Sequence, residues 1–453
     1  MVENGPLAEP GDHPAEAADP DGETWTSILS CVTVVQDPHV ICKLLQVSRG
    51  FAAAVHAQLA GRLSAQLKAS SLTRAQQFTG WVVRNSTILH KISISLTDTG
   101  PSPWKCSQAA AAAADARAAA LSTGLEWLAG TPPPAAAAAA QASAAAAAAA
   151  VVTGVRAFSA HGVPASSACS LAATLSGVAS QLTHLELGML LLVQPEDASE
   201  VPAPVVSNPD GLAALAGMKA LHTLLLHQPC RMQSGLAGCS WPPLEDCLQW
   251  CVSGMAQLTR LELPVHLDDL GSFELLQWLP AGLRQLQLGA DADVEGDEGD
   301  MAFNVHEAEQ VLQDRRRQPL QLSHLAALTK LQLSAVVPLL SCDELPASLL
   351  ELRLRQCFGV QPLLQLSKLE TLSFRPSTIP ADRLLALTQL TSLTAVKLFY
   401  EGGYQLSGTH THWSCERVAE HAAVWVKLPL ISLGLYDARG RLILGHLTGS
   451  GRS

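Results

Sequence analysis

The chain has 453 residues, 48% of them hydrophobic and 15% charged, a balance that supports a large buried core and excludes a wholly disordered polymer. Its 29 Lys and Arg against 40 Asp and Glu leave a formal net charge of −11, which disfavours nonspecific adhesion to nucleic acid or to an anionic membrane. Aromatic residues make up only 4% and alanine buries little area per residue, so leucine has to build the core.

In chain order, residues 1–22 are acidic and proline-bearing, with no basic stretch followed by an apolar run, and read as a disordered tail instead of a secretory signal. The 11 cysteines stand singly, with Cys230 and Cys239 or Cys247 and Cys251 as the nearest pairs, a spacing that suits reduced thiols. An intracellular protein, cytoplasmic or nuclear, is the expectation. The alanine tract from Ala135 to Val152 is broken by Gln141 and Ser143 and is too weakly apolar to drive membrane insertion.

Residues 23–68 carry helical periodicity: Ile28, Leu29 and Val32, then Ile41, Leu44, Leu45 and Val47, then Phe51, Val55, Leu59 and Leu63. Asp37 followed by Pro38 is a good N-cap and first helical residue, so a second helix is predicted from there to about Val47 and a third from about Ser48. The segment Asp37-Pro38-x-x-Ile41-x-x-Leu44-x-x-Val47-Ser48-Arg49-x-Phe51 resembles the second half of an F-box. Ile28, Leu29 and Val32 stand where that family has its first-helix apolar residues, but its usual leucine-proline pair is missing, with Glu23, Thr24 and Trp25 in its place. The resemblance implies a surface for a Skp-family adaptor made of Trp25, Ile28, Leu29, Val32, Asp37, Pro38, Ile41, Leu44, Leu45, Val47 and Phe51. The alternative is a helical cap over the first unit of a stack.

Residues 69–106 read as a connecting helix and a first repeat, and residues 107–150 as an Ala/Pro-rich low-complexity insert. From residue 151 to 445 one phrase, L-x-x-L-x-L, returns. Nine clear copies start at Leu182, Leu221, Leu258, Leu283, Leu328, Leu349, Leu369, Leu393 and Leu430, at steps of 39, 37, 25, 45, 21, 20, 24 and 37 residues. Leu89-Ile92-Ile94 is an earlier copy, and Val152-Val155-Ala157 a weaker one. Residues 446–453 form a tail.

In L-x-L the leucines share one side of a strand and the residues between them the other, so stacked copies give a parallel sheet with one buried and one exposed face. Preceding leucines, as in Leu322-x-x-Leu325-x-x-Leu328, suit a short helix or turn behind it. The pattern resembles the leucine-rich repeats, which implies an α/β solenoid: a curved parallel sheet backed by short helices and loops, after a small N-terminal helical segment. The asparagine that usually follows L-x-L in that family is absent, with Cys357 the only customary substitute, so an irregular loop ladder is expected.

Nothing in the chain spells a nucleophile elbow, a phosphate loop, a dinucleotide fingerprint or a zinc-protease helix. The acidic run from Asp291 to Asp300 lacks the distal glutamate of a calcium loop, and His410, His412 and Cys415 lack a second ligand pair. No catalytic residue, metal or cofactor is expected. The concave strand positions are more informative, because Lys330, Arg353, Arg355, Arg375 and Lys397 form a basic group in an acidic protein, with Phe399 and Tyr436 beyond them. A target-binding face for protein is the expectation, in a chain that is monomeric outside its complex and takes neither nucleic acid nor membrane. The two resemblances together imply a non-enzymatic substrate receptor of a cullin-type ubiquitin ligase; the alternative is a stand-alone repeat scaffold.

Overall fold

A computed structural model describes residues 63–68, 71–85, 88–96, 105–106, 113–114, 116–122, 155–164, 171, 174–175, 181–192, 214–227, 252–263, 273–289, 320–336, 345–356, 360–374, 381–400, 432–437 and 442–444. Its strands are β1 (Leu63–Lys68), β2 (Leu89–Ser95), β3 (Lys105–Cys106), β4 (Ala157–Pro164), β5 (His184–Leu192), β6 (Thr223–His227), β7 (Arg260–Leu263), β8 (Gln285–Leu288), β9 (Lys330–Val336), β10 (Glu351–Gln356), β11 (Thr371–Phe374), β12 (Ala395–Tyr400), β13 (Ser432–Asp437) and β14 (Leu442–Leu444). They pair in chain order, β1-β2-β4 and onward to β14, while β3 pairs with the trailing end of β5. Every pairing from β1 to β13 is parallel, and β14 returns antiparallel to β13.

The register follows the leucine phrase. Leu185, Leu224, Leu261, Leu286, Leu331, Leu352, Leu372 and Val396 oppose one another from strand to strand, and all are buried. Behind them the chain reads L-x-x-L-x-x-L with a period of three. Met218, Met255, Leu325, Leu366 and Leu390 donate their amides three residues back, and Leu221, Leu258, Leu328, Leu369 and Leu393 do the same. A three-residue turn eclipses side chains at i and i+3, so one apolar column forms and faces the sheet. Where proline replaces the middle leucine, its carbonyl still closes the turn, from Pro280 to the Leu283 amide at 3.0 Å and from Pro346 to the Leu349 amide at 3.3 Å.

A ladder joins the repeats just ahead of the strands. The carbonyl of Arg156 accepts the amides of Thr183 and His184, that of Thr183 accepts those of His222 and Thr223, and the series continues to Glu370 with Thr394 and Ala395. In four repeats a threonine hydroxyl adds a third bond to the same acceptor, each at 3.1 Å: Thr183 to Arg156, Thr259 to His222, Thr329 to Arg284 and Thr394 to Glu370. The missing asparagines thus coincide with a regular ladder at the leading ends of the strands.

Two sequence expectations need correction. Leu63 belongs to a strand: β1 places Leu63 opposite Leu89, Ala65 opposite Ile92 and Leu67 opposite Ile94. The alternation Leu63, Ala65, Leu67 has period two, and pairing with β2 outweighs the helical spacing that leads into it. The weaker copy lies three residues later than Val152-Val155-Ala157. Its buried positions are Val155, Phe158 and Ala160, with Phe158 opposite Ile92 and Leu185.

Between β1 and β2 the helix α1 (Leu72–Asn85) starts at Ser71, whose hydroxyl accepts the Arg74 amide at 3.3 Å as an N-cap. It buries Ala75 and Val82 against the core, with Phe78 and Trp81 packed beside them. Within the alanine-rich insert, residues 116–122 are helical and put Ala118 and Leu121 into the same core. This open parallel sheet of single-strand units, each backed by a short turn, is an α/β leucine-rich-repeat solenoid. No helix among the described residues is long and apolar enough to cross a membrane.

Candidate interaction face

The residues that alternate with the buried leucines fall in two main rows across the sheet. One runs Lys91, Ala157, His184, Thr223, Arg260, Gln285, Lys330, Glu351, Thr371, Ala395 and Ser432. The next runs Ser93, Ser159, Glu186, Leu225, Glu262, Gln287, Gln332, Arg353, Ser373, Lys397 and Gly434. Ser159, Leu225, Gln332 and Ser373 of this second row are buried by their flanking neighbours, so ligand contact falls to the longer side chains.

The basic residues divide between these rows. Lys330 is half-exposed and pairs with Glu351 across one strand step, Nζ to Oε1 at 3.1 Å. Arg353 and Lys397 lie in the other row with Ser373 between them. Arg355 continues β10, and Phe399 of β12 is in register with Tyr436 of β13. Arg375 and the adaptor-binding set from Trp25 to Phe51 lie outside the described residues, as do Asp291 to Asp300 and His410 to Cys415. One predicted contact is therefore an ion pair, and among the described side chains Arg353 and Lys397 share the other row.

The densest polar cluster stands elsewhere, over β4, β5 and β6. The Glu186 carboxylate is 20% exposed and has three histidines around it, His161, His184 and His227, at 37%, 29% and 31%. Oε1 lies 3.2 Å from His227 Nε2 and 3.6 Å from His161 Nε2, while Oε2 lies 3.9 Å from His184 Nε2. Ser159 donates its hydroxyl to Oε2 at 3.0 Å. A carboxylate only accepts, so the His227 contact requires a proton on Nε2. With its hydrogen already given to Glu186, Ser159 Oγ accepts from His161 Nε2 at 3.1 Å. The His161 and His227 rings stack on each other with centroids 6.4 Å apart and planes 23° from parallel.

This setting shifts two of the groups. The Glu186 carboxyl is held well below the usual carboxylate range, first by the His184 imidazole and then by the His227 hydrogen bond, against the cost of burial. His161 is pushed below its ordinary value by burial, which outweighs the attraction of Glu186, and the nearby His227 and Lys91 act in the same downward sense. Gly162 at φ 71° makes the bulge that follows His161, where the register slips between His161 and Val163. Among the described residues no group of three or more His, Cys, Asp or Glu is arranged to hold a metal ion.

His184, Glu186 and His227 occupy positions the phrase marks as exposed. Ser159 and His161 escape a sequence reading because the β4 copy has valine, phenylalanine and alanine in place of the three leucines.

Neither a family model nor a curated protein matches the chain. Among solved structures it is similar to the leucine-rich-repeat-containing protein LegL7 from Legionella pneumophila, at 14% identity over 84% of this chain and 93% of that one, TM-score 0.33. It is also similar to an internalin C2 from Listeria monocytogenes, at 16% identity over 58% of this chain and 83% of that one, TM-score 0.27. The fold assignment rests on the strand register itself.

Proposed function

We propose that the chain is a non-enzymatic protein-interaction scaffold, and in the finer reading a substrate receptor of a cullin-type ubiquitin ligase. The observation that carries the scaffold reading is the open face, where residues of neighbouring strands stand in unbroken register from Lys91 to Ser432. Parallel strands lie about 4.8 Å apart, so such a face offers an extended partner many small contacts at fixed spacing instead of one deep pocket. Arg353 and Lys397, with Arg355 and Arg375, favour an acidic or phosphorylated segment, since guanidinium forks hold carboxylate or phosphate at two points. Lys330 contributes by exchanging Glu351 for the partner. Phe399 and Tyr436 supply apolar area at one end of the stripe.

The receptor reading adds a Skp-family adaptor on the residues ahead of β1, supported by the Asp37 to Phe51 segment. Co-purification of the full chain with the adaptor tests it against Leu44→Asp with Val47→Asp. Retention by the wild type and loss in a variant with unchanged circular dichroism is the expected result. If the wild type never retains the adaptor, the receptor reading falls and the stand-alone scaffold is left.

A further inference from the structure

We propose that the open face over β4, β5 and β6 is a second docking patch, one that takes a carboxylate-rich protein segment when the medium turns mildly acidic. The proposal rests on the reading of this face as a protein-binding surface, and it uses residues distinct from the basic stripe.

At neutral pH the charges of the two open-face rows over the patch balance, Lys91 and Arg260 against Glu186 and Glu262. Glu186 carries its negative charge, Lys91 on β2 stands on the same face, and on β7 Arg260 and Glu262 satisfy each other, with Arg260 Nε donating to Glu262 Oε1 at 2.9 Å. Arg156, His90 and His222 stand at the leading ends of β4, β2 and β6, and Lys105 of β3 is in register with Leu191 at the trailing end of β5. Histidine is the side chain that changes charge between about pH 5 and 8. The carboxylate in the middle stays ionised throughout that interval, so acidification alters the imidazoles alone. Each proton adds one positive charge. Burial works against the proton on His161; the first added charge is offset by Glu186, and a further one has no described acid of its own within the cluster.

Geometry makes the change accessible. All three rings are partly open to solvent and need no unfolding to take a proton. They span three strands, roughly 10 Å at the sheet spacing, which is also the reach of three residues in an extended peptide. Two or three carboxylates on such a peptide can therefore meet two or three imidazolium groups at once. The preferred partner is an extended run of Asp or Glu.

The test uses the full-length protein and a rhodamine-labelled peptide of ten residues alternating Glu and Gly, with anisotropy read at pH 7.5, 6.5 and 5.5 at constant ionic strength. Glutamate stays ionised in that range, with an ordinary value of about 4.3. Wild-type affinity should rise tenfold or more from pH 7.5 to 5.5, and His161→Asn with His184→Asn and His227→Asn should abolish the rise. Glu186→Gln removes the fixed negative charge and should bind more tightly than wild type at pH 5.5, a gain that misfolding does not produce. Lys330→Glu with Lys397→Glu, on β9 and β12, should leave the rise on acidification intact. A flat wild-type profile, an unchanged rise in the triple variant, or no binding at any pH overturns the acid-gated patch. Failure of adaptor co-purification leaves it untouched.

Discussion

His161 shows how a single residue ties the face to the stability of the strand beneath it. Burial holds its folded value below the ordinary histidine value of about 6.5, whereas the unfolded chain titrates near that value. Between the two the unfolded chain binds more protons, so stability falls as the pH drops through this window and levels off once the folded imidazole is also charged. Glu186 works in the same sense at lower pH, because its contribution is present above the unfolded carboxylate value and is lost only in stronger acid. Thermal melts of wild type and His161→Asn at pH 7 and 5 check this: the variant should lose less melting temperature on acidification. Parallel losses would assign the acid sensitivity to other groups. The exposed positions of His184, Glu186 and His227 are legible in the leucine spacing, but their convergence on one carboxylate is not. It depends on Ser159 and His161, whose strand keeps the burial pattern with Phe158 and Ala160 in place of leucines.

Elements in this protein are short, and each is defined by what its neighbours accept. A four-residue strand such as Arg260–Leu263 has little independent preference; pairing on both sides and a buried leucine at every second position hold it in place. Two substitutions in one repeat separate the contributions. Thr329→Val deletes the hydroxyl bond to the Arg284 carbonyl while the Thr329 and Lys330 amides still bind it, so it should cost about 0.5–1.5 kcal/mol. Leu331→Ala opens a cavity in the fully buried column and should cost about 2–5 kcal/mol. Urea denaturation gives both values, and a threonine effect as large as the leucine effect would mean that the ladder outweighs the core. The strands and the turns behind them can be read from the sequence because leucine repeats at three, three and two residues. The ladder's threonines are visible there too, directly after Leu182, Leu258, Leu328 and Leu393. Their role is not, because a hydroxyl just past the end of a turn has no one-dimensional partner. Leu63 fails for a related reason, since its spacing fits a helix while the strand that captures it lies on the far side of α1.

At the scale of the molecule the repeats form a nearly linear array of interfaces, so removing one should shorten it without dissolving it. Deletion of residues 349–368 takes out one 20-residue step and would bring Lys330 of β9 opposite Thr371 of β11, each already in register with Glu351. A soluble protein with cooperative but weaker unfolding is expected, and complete loss of cooperative unfolding would argue for one indivisible core. The sheet also limits its own growth at one end. β14 is only three residues long and runs antiparallel, which offers a poor template for adding another chain.

The steps between copies range from 20 to 45 residues, yet each described turn meets its strand at the same distance and the same ladder position. All the length variation therefore falls after a strand and before the next turn. Chain added there costs little, because loop closure rises by only about 0.6 kcal/mol for each doubling of length. One residue added between Leu283 and Gln285 would instead turn the strand over and send its leucines to the open face. The repeat is thus permissive on one side and metrically fixed on the other. A foreign sequence, such as a reporter peptide or a new recognition segment, is best grafted just beyond Gly289, whose amide still anchors to the Leu263 carbonyl at 2.9 Å.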